Sequence, residues 1–222
     1  MCFIERTFFS ILCLLLLSTC TKFGKNVYVD GRIYNPITGE GIPNIPIRLY
    51  RSKLDSKDPL GTDSKTLQTT TTDANGYYKV EHLSTPFNQV SIRLNSLDYY
   101  PIGWVDFGNT NAAGVKKGKR NHFDYQMVPY GKIIIYIKNN SCVDSNDNVK
   151  LYFDGGPYDS NVFHKGLIIN LDGCIDSPDP PIKISSGYKY FHWEATKNNV
   201  TTTYYDTVFV NENQTTTLNV FY

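Results

Sequence analysis

A chain of 222 residues has room for one large domain or two ordinary ones, each able to bury a core. With 41% hydrophobic and 19% charged residues it belongs with folded globular proteins rather than disordered chains. A formal net charge of +1 lacks the strongly basic balance of a dedicated nucleic-acid binder, so no nucleic-acid partner is expected. The 14% aromatic content, with Tyr the main contributor, suits half-buried strands, and no long stretch after the N-terminus carries a helical apolar period. All-β is the expected fold class.

The chain opens on an apolar run, Phe8 to Leu17, preceded by Glu5 and Arg6. As a helix such a run reaches about 15 Å, half of a bilayer core, so residues 1–19 read as a cleaved export signal rather than a permanent span. Leu17-Ser18-Thr19-Cys20 resembles a bacterial lipobox, in which the Cys is acylated and becomes the mature N-terminus. Thr19 departs from the Gly, Ala or Ser that this family places before the Cys. The resemblance implies a lipoprotein-type signal, lipid attachment at Cys20, and a short tether over residues 20–25. It implies a lipid-anchored address in the bacterial cell envelope, expected at the outer membrane, with the periplasmic or surface side left open. Several acyl chains would hold the protein where a single myristoyl group would not. The other reading is an ordinary secretory signal with Cys20 incidental.

Under the lipobox reading Cys2 and Cys13 leave with the signal and Cys20 carries lipid, which leaves Cys142 and Cys174. Two thiols in an exported chain are a candidate disulfide, and two free buried thiols are the alternative.

The first domain is expected over residues 26–129. Val27, Val29 and Ile33 alternate with Tyr28, Asp30 and Arg32, as in a strand with one face inward; Gly31 interrupts the inward face and marks a bulge or a close backbone approach. After a turn around Thr38-Gly39, Ile45, Ile47 and Leu49 repeat the alternation. Pro43 and Pro46 cannot donate to a ladder and point to an edge strand, or to one that starts at an edge. Asp73-Ala74-Asn75-Gly76 should reverse the chain. Tyr78 and Val80 then face inward, followed by Val90, Ile92 and Leu94, with Phe123 to Val128 as the closing strand.

Gly31, Thr38-Gly39, Ile45, Ile47, Leu49 and Thr72-Asp73-Ala74-Asn75-Gly76-Tyr77-Tyr78 together resemble the carboxypeptidase regulatory-like family, a transthyretin-like (prealbumin-like) β-sandwich, here in a lipoprotein of Bacteroidetes type. The resemblance implies a fold and no catalytic residues. Two departures stand out: the long polar segment Ser52–Thr71, and the excursion Asp98–His122. That excursion holds Tyr99, Tyr100 and Trp104, a possible ligand-binding surface for glycan or peptide, and the basic run Lys116 to Arg120. Rings that cap the open end of the sandwich, beside a solvated loop, are the plainer reading.

The second domain is expected over residues 130–222, with Pro129-Tyr130-Gly131 as punctuation. Ile133, Ile135 and Ile137 share a face, and further strands follow at Val149–Phe153, Leu167–Leu171, Ile182–Ile184, Gly187–Glu194, Tyr204–Val210 and Thr216–Tyr222. Short strands with regular turn signals predict a second antiparallel, Ig-like sandwich.

No constellation of catalytic residues emerges. Asp144 to Asn148 places oxygen ligands at alternate positions but lacks the Gly and Glu of a calcium loop, so a polar turn is expected and no metal. The four His residues have no zinc spacing, and no cofactor is expected. The expected function is a non-catalytic, lipid-anchored structural or protein-interaction module. The alternative is a glycan- or peptide-binding surface lipoprotein that uses aromatic loops.

Overall fold

The computed structural model describes residues 25–52, 64–84, 89–94, 96–108, 112–158 and 162–222. The expected signal, Cys20 and all of the tether except Lys25 lie outside the described residues. The fold is all-β, and the strands fall in chain order as β1 (Lys25–Tyr34), β2 (Pro46–Ser52), β3 (Ser64–Thr71), β4 (Tyr77–Ser84), β5 (Val90–Leu94), β6 (Tyr99–Trp104), β7 (Ala112–Val115) and β8 (Arg120–His122). They continue as β9 (Tyr125–Lys138), β10 (Asn148–Gly155), β11 (Gly166–Asp172), β12 (Asp176–Pro178), β13 (Ile182–Ser185), β14 (Gly187–Lys197), β15 (Val200–Val210) and β16 (Thr215–Phe221). Two compact units divide these residues. The first takes the chain to Ile33, then 41–95 and 103–125; the second takes 34–40, 96–102 and 126–222.

In the first unit β4 pairs antiparallel with β1, and β8 pairs parallel with β1 on its other side. The second layer runs in the order β3-β2-β5-β7. Alternation decides which side chains enter the core: Val27, Val29 and Ile33 from one layer, and Ile47, Leu49, Ile92 and Leu94 from the other, are all buried. Gly31 stands where a side chain is impossible, because a Cβ there would overlap the Phe123 carbonyl, which also accepts the Tyr78 hydroxyl at 2.7 Å. This is the close backbone approach rather than the bulge. The turn at Asp73 forms as expected: its Oδ1 accepts the N–H of Asn75 at 2.9 Å and of Tyr77 at 2.8 Å, and Gly76 sits at φ 81°. Thr72, buried, locks the turn to the segment before β2 by accepting from Ile45 N–H at 2.8 Å and donating to the Ile42 carbonyl at 2.7 Å.

One expectation is corrected here. β2 is an interior strand, paired with β3 on one side and β5 on the other. Pro46 is tolerated because it is the first residue of the strand, opposite Thr71. The edge is instead supplied by the polar segment, whose residues 64–71 form β3.

In the second unit β9 carries β12 and β13 antiparallel and β16 parallel, while the other layer runs β11-β10-β14-β15. One core joins the layers: Ile133, Ile135 and Ile137 with Leu218 and Val220 meet Val149, Leu151, Phe153, Phe191 and Trp193. Both units are therefore β-sandwiches, the layering shared by Ig-like and prealbumin-like domains. Pro129-Tyr130-Gly131 does not interrupt the chain but lies inside β9. Gly131 faces the Asn211 carbonyl, where a Cβ would not fit. Cys142 and Cys174 form a disulfide, with Cα atoms 5.3 Å apart. β15 begins at Val200, four residues before the start expected from sequence.

Candidate functional site

The outward side chains of β4, β1 and β8 form a grid on the first unit. Register sets its rows: Glu81–Tyr28–Arg120, then Lys79–Asp30–His122, then Tyr77–Arg32. Because successive residues of β1 point to opposite faces, the alternation that sends Val27, Val29 and Ile33 into the core sends Tyr28, Asp30 and Arg32 outward.

Asp30 is the centre. Its Oδ2 accepts from Arg120 Nε at 2.7 Å, and its Oδ1 meets His122 Nδ1 at 2.6 Å. On the other side of the ring, His122 Nε2 lies 3.4 Å from Asp124 Oδ1, which itself accepts the Arg32 main-chain N–H at 2.7 Å. Tyr28 is covered from two directions by cations, Lys79 at 4.9 Å and Arg120 at 4.8 Å, and Arg32 lies over Tyr77 at 5.4 Å. These side chains line an open hollow of about 570 Å³, walled by Tyr28, Asp30, Tyr77, Lys79, Arg120 and His122.

Asn121 is what brings the third strand into place. It is buried; its side-chain nitrogen reaches the carbonyls of Tyr28, Lys116 and Lys119 at 2.9–3.1 Å, and its Oδ1 accepts the Lys116 N–H at 2.9 Å. With its neighbour facing inward, Arg120 and His122 must both face outward onto Asp30. The run Lys116–Arg120 is therefore not wholly a solvated loop, since its last residue opens β8.

The electrostatics follow from these contacts. Burial pushes the Asp30 carboxyl up, but hydrogen bonds from His122 and Arg120 outweigh it and hold the group below its ordinary range. The hydrogen bond to Asp30 raises His122 against a smaller opposing effect of burial, and Asp124 adds to the rise. Burial, with Asp124 and Asp30 nearby, pushes the Tyr78 hydroxyl up as well. The two carboxylates that flank this imidazole favour its charged form.

The rings singled out from sequence lie elsewhere. Trp104 is 2% exposed, with its ring 4.8 Å from Tyr125 and 5.9 Å from Phe123, edge to face. Tyr100 is 9% exposed and meets Tyr130 edge to face at 6.2 Å, and Tyr99 is half-buried. Tyr99, Tyr100 and Trp104 therefore form no exposed platform. Alternation along β6 and the size of an indole bring them into packing, where such rings stabilise most. Asp144 Oδ1 accepts from Asn146 N–H at 2.7 Å and Asp147 Oδ2 from Val143 N–H at 2.9 Å, the signature of a polar turn. Among the described residues no group of His, Cys, Asp and Glu could hold a metal ion.

Asp30, Arg120 and His122 were not singled out from sequence. Arg120 and His122 lie 90 and 92 residues from Asp30, and only strand pairing makes them its neighbours. The outward phase of Asp30 in β1 was the one local signal.

No family model matches the chain, and no curated protein matches it. Solved structures give distant likenesses. The Bacillus anthracis TIE protein is 13% identical over 89% of this chain and 34% of that one, with a TM-score of 0.34. A streptococcal ancillary pilin is 11% identical over 88% and 62%, with a TM-score of 0.34. A DUF3823 family protein from Bacteroides uniformis is 9% identical over 84% and 99%, with a TM-score of 0.31. This chain thus spans about a third and under two thirds of the first two. Likeness at this level carries no argument about function.

Proposed function

We propose that this protein is a non-catalytic, lipid-anchored module of the bacterial envelope that works by contact with a partner, and that its contact surface is the outward face of β4, β1 and β8. The observation that supports this reading is the Asp30 grid. Tyr and Arg dominate binding interfaces, and here Tyr28, Tyr77, Arg32 and Arg120 stand together, held in place by one another. The acidic and basic groups neutralise each other, so the patch presents shape and rings rather than a free nucleophile or base. The carboxypeptidase regulatory-like resemblance of the first unit fits a scaffold of this kind, and Cys20 would supply the anchor.

A second reading has its own observation. The hollow, of about 570 Å³ and walled by three tyrosines and several hydrogen-bonding groups, has the volume and lining of a site for a sugar or short peptide.

Fractionation of cells producing the wild-type chain or Cys20→Ala tests the anchor; a Cys20→Ala form that stays in the membrane fraction refutes it. Arrays of envelope glycans and peptides, probed with wild type, Tyr28→Ala and Arg120→Ala, test the surface. Binding that disappears in both variants supports it, and binding that survives both removes it. Cleavage of any bound ligand would refute the non-catalytic reading.

A further inference from the structure

Strand β15 is the last strand of its sheet, paired with β14 on one side. Asn198 and Asn199, at φ 49° and 64°, join the two strands in a two-residue turn with both central residues left-handed, and Lys197 pairs with Val200 across it. In such a hairpin the flanking residues exchange both main-chain hydrogen bonds, and exchange recurs at every second residue. The register runs without a shift to Gly187 opposite Val210, so the even-numbered residues of β15 turn their N–H and C=O toward β14. The odd-numbered residues turn theirs outward.

Two side-chain contacts agree with this parity and mark where the free edge ends. The Thr207 N–H donates to Asp206 Oδ1 at 2.7 Å, and the Phe209 carbonyl accepts from Thr216 Oγ1 at 3.2 Å. Among the described residues, what remains open is Thr201, Thr203 and Tyr205, in a stretch exposed on both faces. The usual guards of an edge strand are missing from it: residues 201–205, Thr-Thr-Thr-Tyr-Tyr, contain no Lys, no Pro and no charge.

We propose that this edge pairs with the same edge of a second copy of the chain, antiparallel, with the two-fold axis at Thr203. Thr203 then faces Thr203 of the second copy, and Thr201 faces Tyr205 in both directions. Every outward group of the open stretch is an odd-numbered partner for another, so about six main-chain hydrogen bonds form and none of the six residues involved is left half-paired. No like charges meet. Tyr205, 77% exposed, gains cover from a Thr of the second copy, a favourable cross-strand combination. Parity alone rules out an axis lying between two residues, which would set outward groups against groups already used by β14. An axis on Thr202 or Tyr204 keeps parity but opposes one of the three open residues to turn residue Asn199 or to Thr207, whose N–H is taken by Asp206, so completeness of pairing selects Thr203. A foreign strand of arbitrary sequence could meet the backbone alone; the uncharged, self-matching stretch is what selects the copy.

The test is sedimentation equilibrium of the full chain over a range of concentrations, with a disulfide-trapping series. The wild-type weight-average mass should rise from one chain to two. Thr203→Pro, which deletes an outward N–H that β14 does not use, and Thr203→Lys, which sets two charges face to face, should each return it to one. Thr203→Cys should cross-link to itself on mild oxidation, since Cα atoms of a facing pair lie about 5.5 Å apart, within disulfide reach. Thr201→Cys alone should not, whereas Thr201→Cys mixed with Tyr205→Cys should. A chain monomeric at every concentration overturns the proposal, as does a dimer unaffected by either Thr203 variant. Cross-linking of Thr201→Cys to itself overturns the register. A monomer that takes up extended foreign peptides along β15 assigns the edge to another partner and overturns the choice of a second copy.

Discussion

The outward face around Asp30 and the free edge of β15 are both exposed β-surface, and they expose opposite things. Around Asp30 the main chain is used on both sides of β1, and what faces solvent is a set of side chains tied to one another. Along residues 201–205 the side chains are uncharged, and among the described residues it is the main chain that is unused on one side. The first arrangement suits recognition by shape and ring chemistry; the second suits continuation of the sheet. Exposure alone says little about a strand until one knows which of its groups are already paired.

The comparison can be broken most severely at the buried rings. Trp104→Ala removes the indole packed between Tyr125 and Phe123 and should cost the first unit about 3–5 kcal/mol. Tyr205→Ala, on the free edge, should change the stability of the second unit by no more than about 0.5 kcal/mol. Chemical denaturation followed by fluorescence measures both, and equal losses would mean that the exposed and buried rings have been misassigned. The disulfide comes next. Cys142→Ser together with Cys174→Ser opens a loop of 32 residues and should destabilise the second unit by roughly 3–4 kcal/mol in the chain-entropy account. Hydrogen exchange should place that loss in the second unit, with the first unaffected.

Asn121→Ala should cost about 1–3 kcal/mol, because it removes the partner of three part-buried carbonyls and of the Lys116 N–H. It should also release Arg120 and His122 from Asp30, which NMR of the imidazole would report as a His122 pKa falling back toward 6.5.

The smallest effect is the pH dependence of the grid itself. His122 is raised above its ordinary 6.5, so its contribution is complete below that pH and is lost as pH rises through the higher folded value. Asp30 is lowered below 3.8, so its contribution is present above that pH and is lost as pH falls through the lower folded value. The grid is therefore strongest between about pH 4 and 6.5. Because His122 is largely exposed, the change in melting temperature should be slight. His122→Gln should flatten its alkaline limb, and an unchanged profile would remove His122 from the account.

Much of the core was legible in sequence. Val27, Val29 and Ile33, Val90, Ile92 and Leu94, and Ile133, Ile135 and Ile137 announce themselves by alternation and are all buried. The turn at Asp73 to Gly76 was equally plain. Of the strands that went unrecognised, β6 and β7 bury Tyr100, Trp104, Ala113 and Val115 but are short and interrupted by Pro101, Gly103 or Gly114. By contrast β3, whose one apolar residue is Leu67, and the first half of β15, a run of Thr exposed on both sides, have no buried apolar face. A period-two signal exists only where one face is buried, so hydropathy alone cannot reveal such strands. The candidate site was harder still. Nothing near Asp30 in sequence points to Arg120 or His122, and the attractive aromatic cluster, Tyr99, Tyr100 and Trp104, went largely into packing.

By itself the sequence determined the all-β class, the inward residues of most strands and the tight turns, because these depend on side-chain period and on local main-chain chemistry. Tertiary structure alone decided that β2 is interior, that Asp30 meets Arg120 and His122, and that β15 keeps one edge unpaired among the described residues. Those facts are matters of strand order and register. The same alternating strand fits many neighbours, and only the completed sheets settle which main-chain and side-chain groups are paired and which are left open.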